Sequence, residues 1–169
     1  MNQAEAQQPS TPEERQTGED DAVIKLGWRE WVRLPDLGID LIKAKVDTGA
    51  RTSCLHTFRT EPYTTETGER RVKFWVHPEQ NNLHKVVECD ATVVDERSVT
   101  DSGGHKEDRL VIKTLVHLGD QQWPIEMTLT NRDTMRFRML LGRTAMAGRC
   151  VVMPGASYLA GKPDAAGAP

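Results

Sequence analysis

Apolar residues that recur at every second position constrain the fold of this chain more than any other feature of its sequence. Residues 71–76 and 123–129 both alternate in this way. A period of two places successive side chains on opposite faces of a β-strand, whereas a helix needs a period of 3.6. Both segments are therefore predicted to be strands with one buried face.

Other apolar segments extend this pattern through the middle of the chain. Turn-forming residues separate them, as at 35–38 and 118–120. Further strands are predicted over residues 24–34, 40–46, 53–57, 85–94, 109–118 and 151–153. A single short helical turn is predicted at residues 143–148. This spacing of strands predicts a small all-β barrel or sandwich.

Composition sets the boundaries of the predicted domain. Residues 1–22 are almost all polar or small, and residues 160–169 are rich in Ala, Gly and Pro. Such segments bury too little apolar area to offset the entropy of ordering, so both are predicted to be disordered tails. The folded domain is predicted to span residues 23–159.

Charge and hydropathy argue against two broad classes of function. A net charge of -3 and a mean hydropathy of -0.57 do not suit a nucleic-acid-binding protein driven by bulk charge. No apolar run approaches the ~18–20 residues of a membrane span, and the N-terminus lacks a secretory pattern, so a cytoplasmic protein is expected. Cys54, Cys89 and Cys150 have no regular spacing and are predicted to be free thiols.

The main chemical motif follows the predicted strand that ends at residue 46. It consists of Asp47, Thr48, Gly49 and the small residue Ala50. A carboxylate on a tight turn can project into a cleft, and Thr48 can hydrogen-bond across an interface. The glycine allows the backbone and a second carboxylate to approach closely. An isolated tripeptide of this kind is also an ordinary turn.

Two carboxylates at short range cannot both ionise, so they share a proton and can act together as a base and an acid. Because Asp-Thr-Gly occurs once in the sequence, the second carboxylate is expected from an identical subunit across a two-fold axis. The chain is therefore predicted to act as a homodimer, with Asp47, Thr48 and Gly49 as the catalytic residues.

A second segment makes the motif specific. Residues 139–143, Met-Leu-Leu-Gly-Arg, lead into the predicted helical turn. Together with residues 27–30, 46–53, 128–133 and 157–159, they resemble the retropepsin-like aspartic peptidases associated with RimK ligases, the RimB-like proteins that are also labelled ATP-dependent zinc proteases.

This resemblance implies a small closed retropepsin-like β-barrel with one short helix and a flap hairpin. It also implies that Asp47 is the catalytic acid and base. The implied substrate is the oligoglutamate tail that a RimK-type ligase adds to a ribosomal protein, expected to belong to the small subunit.

The words zinc and ATP in that label find no support in the residues. The sequence contains neither His-Glu-x-x-His nor the Gly-x-x-x-x-Gly-Lys-Ser/Thr phosphate loop. His77, His84 and Cys89 lie in one stretch, but their spacings of seven and five fit no common zinc pattern. The sequence therefore predicts no metal site and no cofactor.

Residues 95–106 are predicted to form the flap. Paired glycines and small polar residues bend easily, which suits a hairpin that opens for a peptide and closes over it, although a plain mobile hairpin would have the same composition. Ser102, Gly103 and Gly104 are predicted to contact the substrate through their backbone. His105 is counted with them, and its role is left open.

Basic residues near both loops predict an acidic substrate. Arg51 stands where the viral proteins of this fold commonly have an aspartate, so the partner of Arg143 is left open. Ala50, Arg51 and Arg97 are predicted to bind substrate, because arginine offers paired donors to a carboxylate. Lys106 and Arg109 would add positive charge. Arg132 is predicted to pair locally with Asp133 or with the rim of the barrel.

Two alternatives to a peptidase remain open at this point. The first is a module of the same fold that binds acidic peptides without cutting them. The second is a metal-dependent hydrolase. Loss of cleavage on changing Asp47 and indifference to chelators would identify the peptidase.

Overall fold

The protein is described here by a computed structural model, which covers residues 23–132 and 135–163. Nearly all regular structure in these ranges is β, so the predicted all-β class is confirmed. The strands are β1 (Ile24–Leu26), β2 (Arg29–Leu34), β3 (Ile39–Val46), β4 (Ser53–His56), β5 (Arg59–Thr64), β6 (Arg70–Val76), β7 (Val87–Thr100), β8 (Lys106–Leu118), β9 (Gln121–Thr130), β10 (Met139–Leu141) and β11 (Cys150–Val152). Helix α1 spans Arg143–Met146, and a 3₁₀ turn spans Pro35–Leu37. The predicted tail at 1–22 and most of the predicted tail at 160–169 lie outside the described residues.

The strands form one large sheet and one small sheet. The large sheet has the order β2-β3-β10-β4-β9-β8-β7-β6-β5. An additional pairing between Arg33 on β2 and His117 on β8 means that β2, β3, β10, β4, β9 and β8 follow one another around a ring. In the small sheet, β1 and β11 pair in parallel.

Alternating residues of the ring strands and of the neighbouring β6 and β7 supply a single apolar core. On β6, Val72, Phe74 and Val76 are fully buried, and on β9 the residues Trp123 and Met127 point the same way, inward. Burial of each such side chain contributes about 1.5–3 kcal/mol relative to exposure. The half-buried strands predicted from the period of two are confirmed.

Two strands differ from the prediction for identifiable reasons. The strand predicted over residues 24–34 is broken at Gly27, where a Cβ atom would lie 2.1 Å from the carbonyl oxygen of Ala156. Strand β5 was not predicted. It is exposed at every position and contains Pro62. Among the described strands it pairs with β6 alone, at the edge of the sheet, so it shows no alternation that burial would impose.

The described cysteines are free, as predicted. Cys54 and Cys89 are buried and Cys150 is half-buried. Burial raises the pKa of Cys89 to about 12 and the pKa of Cys150 to about 11, so both remain protonated thiols at neutral pH. No helix among the described residues is long and apolar enough to cross a membrane.

Candidate active site

The Asp47 loop is an extension of the sheet. Strand β10 pairs in parallel with β3, with Leu141 opposite Val46. The pairing continues one residue further, because the backbone N–H of Asp47 donates to the carbonyl oxygen of Leu141 at 2.9 Å. The loop therefore starts from a position fixed on both sides by neighbouring strands.

The Asp47 side chain is held by the loop that follows it. Its Oδ1 atom accepts hydrogen bonds from the backbone N–H groups of Gly49 at 2.9 Å and Ala50 at 3.2 Å. Asp47 is half-buried, while Thr48 and Gly49 are exposed. Backbone donors of this kind orient a carboxylate. The arrangement presents a carboxylate in a defined orientation at an open surface.

Gly142 packs against the backbone on the far side of the loop. A Cβ atom there would lie 2.5 Å from the carbonyl carbon of Thr52, a distance that no side chain tolerates against backbone. The Gly142 N–H donates to the Oγ of Ser53 at 3.0 Å, and the Arg143 N–H donates to the carbonyl oxygen of Ala50 at 2.8 Å. The Leu-Leu-Gly segment thus lies directly behind the Asp47 loop.

Arg143 has a backbone partner rather than a carboxylate. Its Nη1 atom donates to the carbonyl oxygen of Thr48 at 3.0 Å. This contact answers the question that the sequence left open and ties the start of α1 to the loop. Arg51, which occupies the position of the missing acid, is exposed.

The predicted flap is the hairpin of β7 and β8. Both strands run further than predicted, to Thr100 and from Lys106, so that the arms of the flap are themselves strands. At the tip, Gly104 adopts a φ of 82°, which favours glycine because other residues lack easy access to that region. Residues 102–105 are all exposed.

Asp101 organises the flap tip. Its Oδ1 atom accepts hydrogen bonds from the backbone N–H groups of Gly103 and His105, each at 2.9 Å. Its Oδ2 atom accepts one from Arg132 at 2.5 Å. The Arg132 guanidinium, followed by these backbone donors, holds the pKa of Asp101 far below the usual range for a carboxyl group. The tip is therefore a braced turn in this conformation.

Arg132 contacts the flap. It pairs with Asp101, 31 residues away in sequence. The predicted partner Asp133 lies outside the described residues, so that pairing stays a prediction. The end of β9 lies beside the base of the flap, where Thr130 donates to the carboxylate of Glu107, which brings Arg132 within reach of the hairpin.

Two predicted substrate-binding residues line one cavity. Arg51 and Arg97 border a cavity of about 270 Å³ together with Lys113 and Glu126. Arg97 forms ion pairs at 2.8 Å with Asp95 and with Glu126. Its charge is therefore largely compensated, and Arg51 contributes the exposed guanidinium of this cavity.

The flap is less positive than its sequence indicates. Arg109 forms an ion pair with Glu107 at 3.1 Å, and Arg132 pairs with Asp101. The acids interleaved with these bases, Glu107 and Asp101, offset the positive charge predicted from the bases alone. Asp101 was not predicted as a functional residue, although Asp101-Ser102-Gly103 repeats the pattern of an acid, a hydroxyl residue and a glycine. Within the described ranges, no three side chains of the His, Cys, Asp and Glu types are grouped so as to hold a metal ion.

A ring of strands, an Asp-Thr-Gly loop backed by a Leu-Leu-Gly strand, and a flap hairpin define the retropepsin-like class of fold. The sequence model described as "Retropepsin-like aspartic endopeptidase RimB" matches residues 25–163. The chain belongs to this RimB-like family.

Curated relatives carry a different name. The chain is 44% identical over 137 residues to a "Probable alpha-L-glutamate ligase" of Shewanella pealeana. It is 46% identical over 138 residues to a protein of the same name from Parasynechococcus marenigrum. The matches cover 81% and 82% of this chain but 30% and 29% of those proteins. The chain thus spans less than a third of the length of these relatives.

A solved structure shares the fold. A protein of unknown function from Legionella pneumophila matches with a TM-score of 0.69 and 24% identity. The match covers 81% of this chain and 98% of that one. At this identity the likeness concerns the fold alone.

Proposed function

We propose that this protein is an aspartic endopeptidase that cuts glutamate-rich peptide chains, with a dyad formed by Asp47 and the Asp47 of a second copy. The observation that carries the proposal is the Asp47 carboxylate itself. It is half-buried just after the end of a ring strand, and among the described residues both of its side-chain hydrogen bonds go to Oδ1. Oδ2 is then the atom that would face a second carboxylate.

The chemistry follows from a shared proton. In a close pair of carboxylates, one is protonated and the other is ionised. The ionised group takes a proton from a water molecule, whose oxygen attacks the peptide carbonyl carbon, while the protonated group donates to the carbonyl oxygen. Transfer of a proton to the amide nitrogen then allows the C–N bond to break, giving a carboxylic acid and an amine.

A second copy is required by this mechanism, and the surface offers apolar area for it. Val151 and Met153 are about half exposed, at 53% and 49%. They lie on or just after β11, in a two-stranded sheet with open edges. Open edges and exposed apolar side chains favour association with another chain.

The glutamate-rich substrate is supported by the relatives and by Arg51. Part of each of these ligase relatives resembles this chain, which supports a domain that works where glutamate is joined to other molecules. Arg51 supplies an exposed guanidinium one residue beyond the catalytic loop. We include in the proposal a tail added by a RimK-type ligase to a small-subunit ribosomal protein, a substrate that would place the enzyme in the cytoplasm.

The first test is cleavage of a protein that carries an oligoglutamate tail, followed by mass spectrometry. Wild type, Asp47→Asn and wild type with a chelator are compared. The proposal expects cutting by the wild type with and without chelator and none by Asp47→Asn. Binding of the tail without cleavage would replace the peptidase by a binding module, and loss of activity with chelator would replace it by a metal-dependent hydrolase.

A second test concerns Arg51. Arg51→Asp should lower the kcat/KM for an oligoglutamate substrate by about ten-fold more than for a neutral peptide. Only the oligoglutamate substrate loses a charge-assisted contact with Arg51 and is repelled by the new aspartate. Equal losses on both substrates would show that Arg51 only braces the loop.

A further inference from the structure

One outer face of the ring joins basic and aromatic side chains. It consists of the outward residues of β2 and β3 and of the segment that follows β11. We call it the cation-aromatic face. Its members are Arg29, Trp31, Lys43, Lys45, Tyr158 and Lys162.

Strand register brings like charges together on this face. Arg29 pairs with Lys45 across the β2–β3 ladder, and Trp31 pairs with Lys43. Two cations directly opposite each other are unfavourable in an antiparallel pair. An acid in place of either Arg29 or Lys45 would make the β2–β3 hairpin more stable.

Aromatic rings hold the cations in place. The Arg29 guanidinium lies 4.6 Å from the ring of Trp28 and 4.9 Å from that of Tyr158. Trp31 stacks on Tyr158 with centroids 5.6 Å apart. The Nζ atoms of Lys43 and Lys162 each lie 5.0 Å from the Trp31 ring, within the range of cation–π attraction.

The position of Tyr158 requires an uncommon backbone conformation. Its φ is 55°, in the left-handed region that large side chains rarely adopt. Its N–H donates to the carbonyl oxygen of Arg29 at 2.9 Å. The buried carboxylate of Glu30 accepts from the next two backbone N–H groups, those of Leu159 and Ala160. These contacts hold the backbone in a position from which the aromatic ring of Tyr158 reaches both Arg29 and Trp31.

The cations of this face differ from other cations of the molecule in their partners. Among the described residues, no carboxylate lies within 4.0 Å of the charged atoms of Arg29, Lys43, Lys45 or Lys162. By contrast, Arg71, Arg97, Arg109 and Arg132 are all paired with acids. The described part of the chain thus groups cations without an acid in contact on this face.

We propose that the cation-aromatic face is an accessory docking surface for an acidic peptide chain whose bond is cut at Asp47. This inference rests on the proposed function and extends it. Lys45 precedes Asp47 by two residues, and Lys43 by four, which is roughly 13 Å along an extended strand. An extended acidic chain leaving the catalytic loop would pass Lys45 and reach Lys43 after about four residues.

The arrangement suits carboxylates better than nucleic-acid bases. Single-stranded nucleic acids bind where open aromatic faces accept stacked bases. Here Trp31 and Tyr158 stack on each other, and Lys43, Lys162 and Arg29 lie over the same rings. The groups presented outward are ammonium donors, which pair with carboxylates one at a time.

The test measures binding without cleavage. Full-length protein carrying Asp47→Asn is titrated into a fluorescein-labelled oligoglutamate peptide, and the Kd is read from fluorescence anisotropy. Lys43→Glu and Lys162→Glu are added separately. The matched control is Lys73→Glu, since Lys73 also lies over an aromatic ring, 5.9 Å from Tyr63, but on β6.

Each face variant should weaken the Kd by about five-fold at low salt, and Lys73→Glu should change it by less than about two-fold. Added salt should reduce these differences, because the charges are exposed. An unchanged Kd for both face variants, or an equal loss in Lys73→Glu, would overturn the docking surface.

Two further outcomes separate this inference from the proposed function. If wild type cuts the tail while the face variants bind normally, the docking surface fails and the peptidase stands. If the face variants lose binding but wild type cuts nothing, the surface stands and the peptidase fails. Labelled oligouridylate is titrated in parallel, and tighter binding of this RNA with the same losses would overturn the assignment to an acidic peptide.

Discussion

Two loops of this protein share a local pattern and differ in what surrounds them. Asp47-Thr48-Gly49 and Asp101-Ser102-Gly103 each place an acid two residues before a glycine. In both, Oδ1 of the aspartate accepts the backbone N–H of that glycine at 2.9 Å. The second oxygen differs. In Asp101 it is bound by Arg132, whereas both side-chain hydrogen bonds of Asp47 go to Oδ1.

The difference shows what separates a structural carboxylate from one suited to chemistry. Arg132 keeps Asp101 ionised by lowering its pKa, so at neutral pH Asp101 has no proton to share. A general acid or base must exchange protons near the working pH. The Asp47 loop continues from a ring strand, while the Asp101 loop uses both carboxylate oxygens of Asp101 to brace the flap.

The largest expected contrast is in activity. Asp47→Asn should lower kcat on an oligoglutamate substrate by about 10⁴-fold, as when one member of a coupled catalytic set is removed. Asp101→Asn should lower it by no more than about ten-fold, because it loses only hydrogen bonds that brace the flap. Steady-state kinetics measure both, with circular dichroism as the control for folding. Comparable losses would mean that the two loops share the chemistry.

The next contrast is between glycines that support the two loops. Gly142→Ala should lower the free energy of unfolding by about 3 kcal/mol, because its Cβ would meet fixed backbone. Gly103→Ala should cost less than about 1 kcal/mol, since the nearest atom to its Cβ would be His105 Nδ1 at 3.1 Å, on an exposed side chain that can move. Urea denaturation gives both values. A similar cost at the two positions would contradict the view that the Asp47 loop is the tighter one.

A third contrast concerns the two arginines that brace the loops. Arg132→Ala should raise the pKa of Asp101 towards the ordinary value of about 3.9, because its main source of stabilisation is removed. Arg143→Ala should leave it unchanged, since Arg143 contacts the carbonyl oxygen of Thr48. The carboxyl chemical shift of Asp101 followed by NMR through an acid titration distinguishes these outcomes.

The sign of the accompanying pH dependence is fixed by the direction of that shift. A carboxyl group with a depressed pKa in the folded state contributes stability above its unfolded pKa, and this is lost as the pH falls towards the folded value. The wild-type flap should therefore keep its order from neutral pH to below about pH 4, and the Arg132→Ala flap should be stabilised less by ionisation of Asp101, because only the backbone donors of Gly103 and His105 remain. Amide exchange at Gly103 and His105 reports the difference.

The smallest expected effect is that of Arg143 on the Asp47 loop. Arg143→Ala should lower the free energy of unfolding by about 1 kcal/mol, the scale of one hydrogen bond to a charged donor. Arg143→Lys should lower the free energy of unfolding by less, because an ammonium group can still donate to the Thr48 carbonyl oxygen. Thermal unfolding of the two variants provides the comparison. A larger loss in the lysine variant would show that the Thr48 contact is not what Arg143 contributes.

Local patterns explain why much of the fold was predictable. The strands of the ring alternate because one face of each is buried, so the period of two appears in the sequence itself. The Asp47 loop and Gly142 were also predictable, since a turn and a close backbone contact demand particular residue types. Strand β5 was missed because it lies exposed at an edge, where burial imposes no period on its residues.

The sequence by itself determined the all-β class, the Asp-Thr-Gly loop, the flap hairpin and the family. These depend on residues close together in the chain or on a pattern repeated along it. Only the tertiary structure decided which acids and bases meet, such as Arg132 with Asp101 and Arg97 with Glu126. Within the part of the chain that the structure describes, it places Arg29 and Lys43 against aromatic rings and not against an acid. Electrostatic interactions depend on distance and exposure. Both quantities are set by strand order and register, which bring together residues far apart in the sequence.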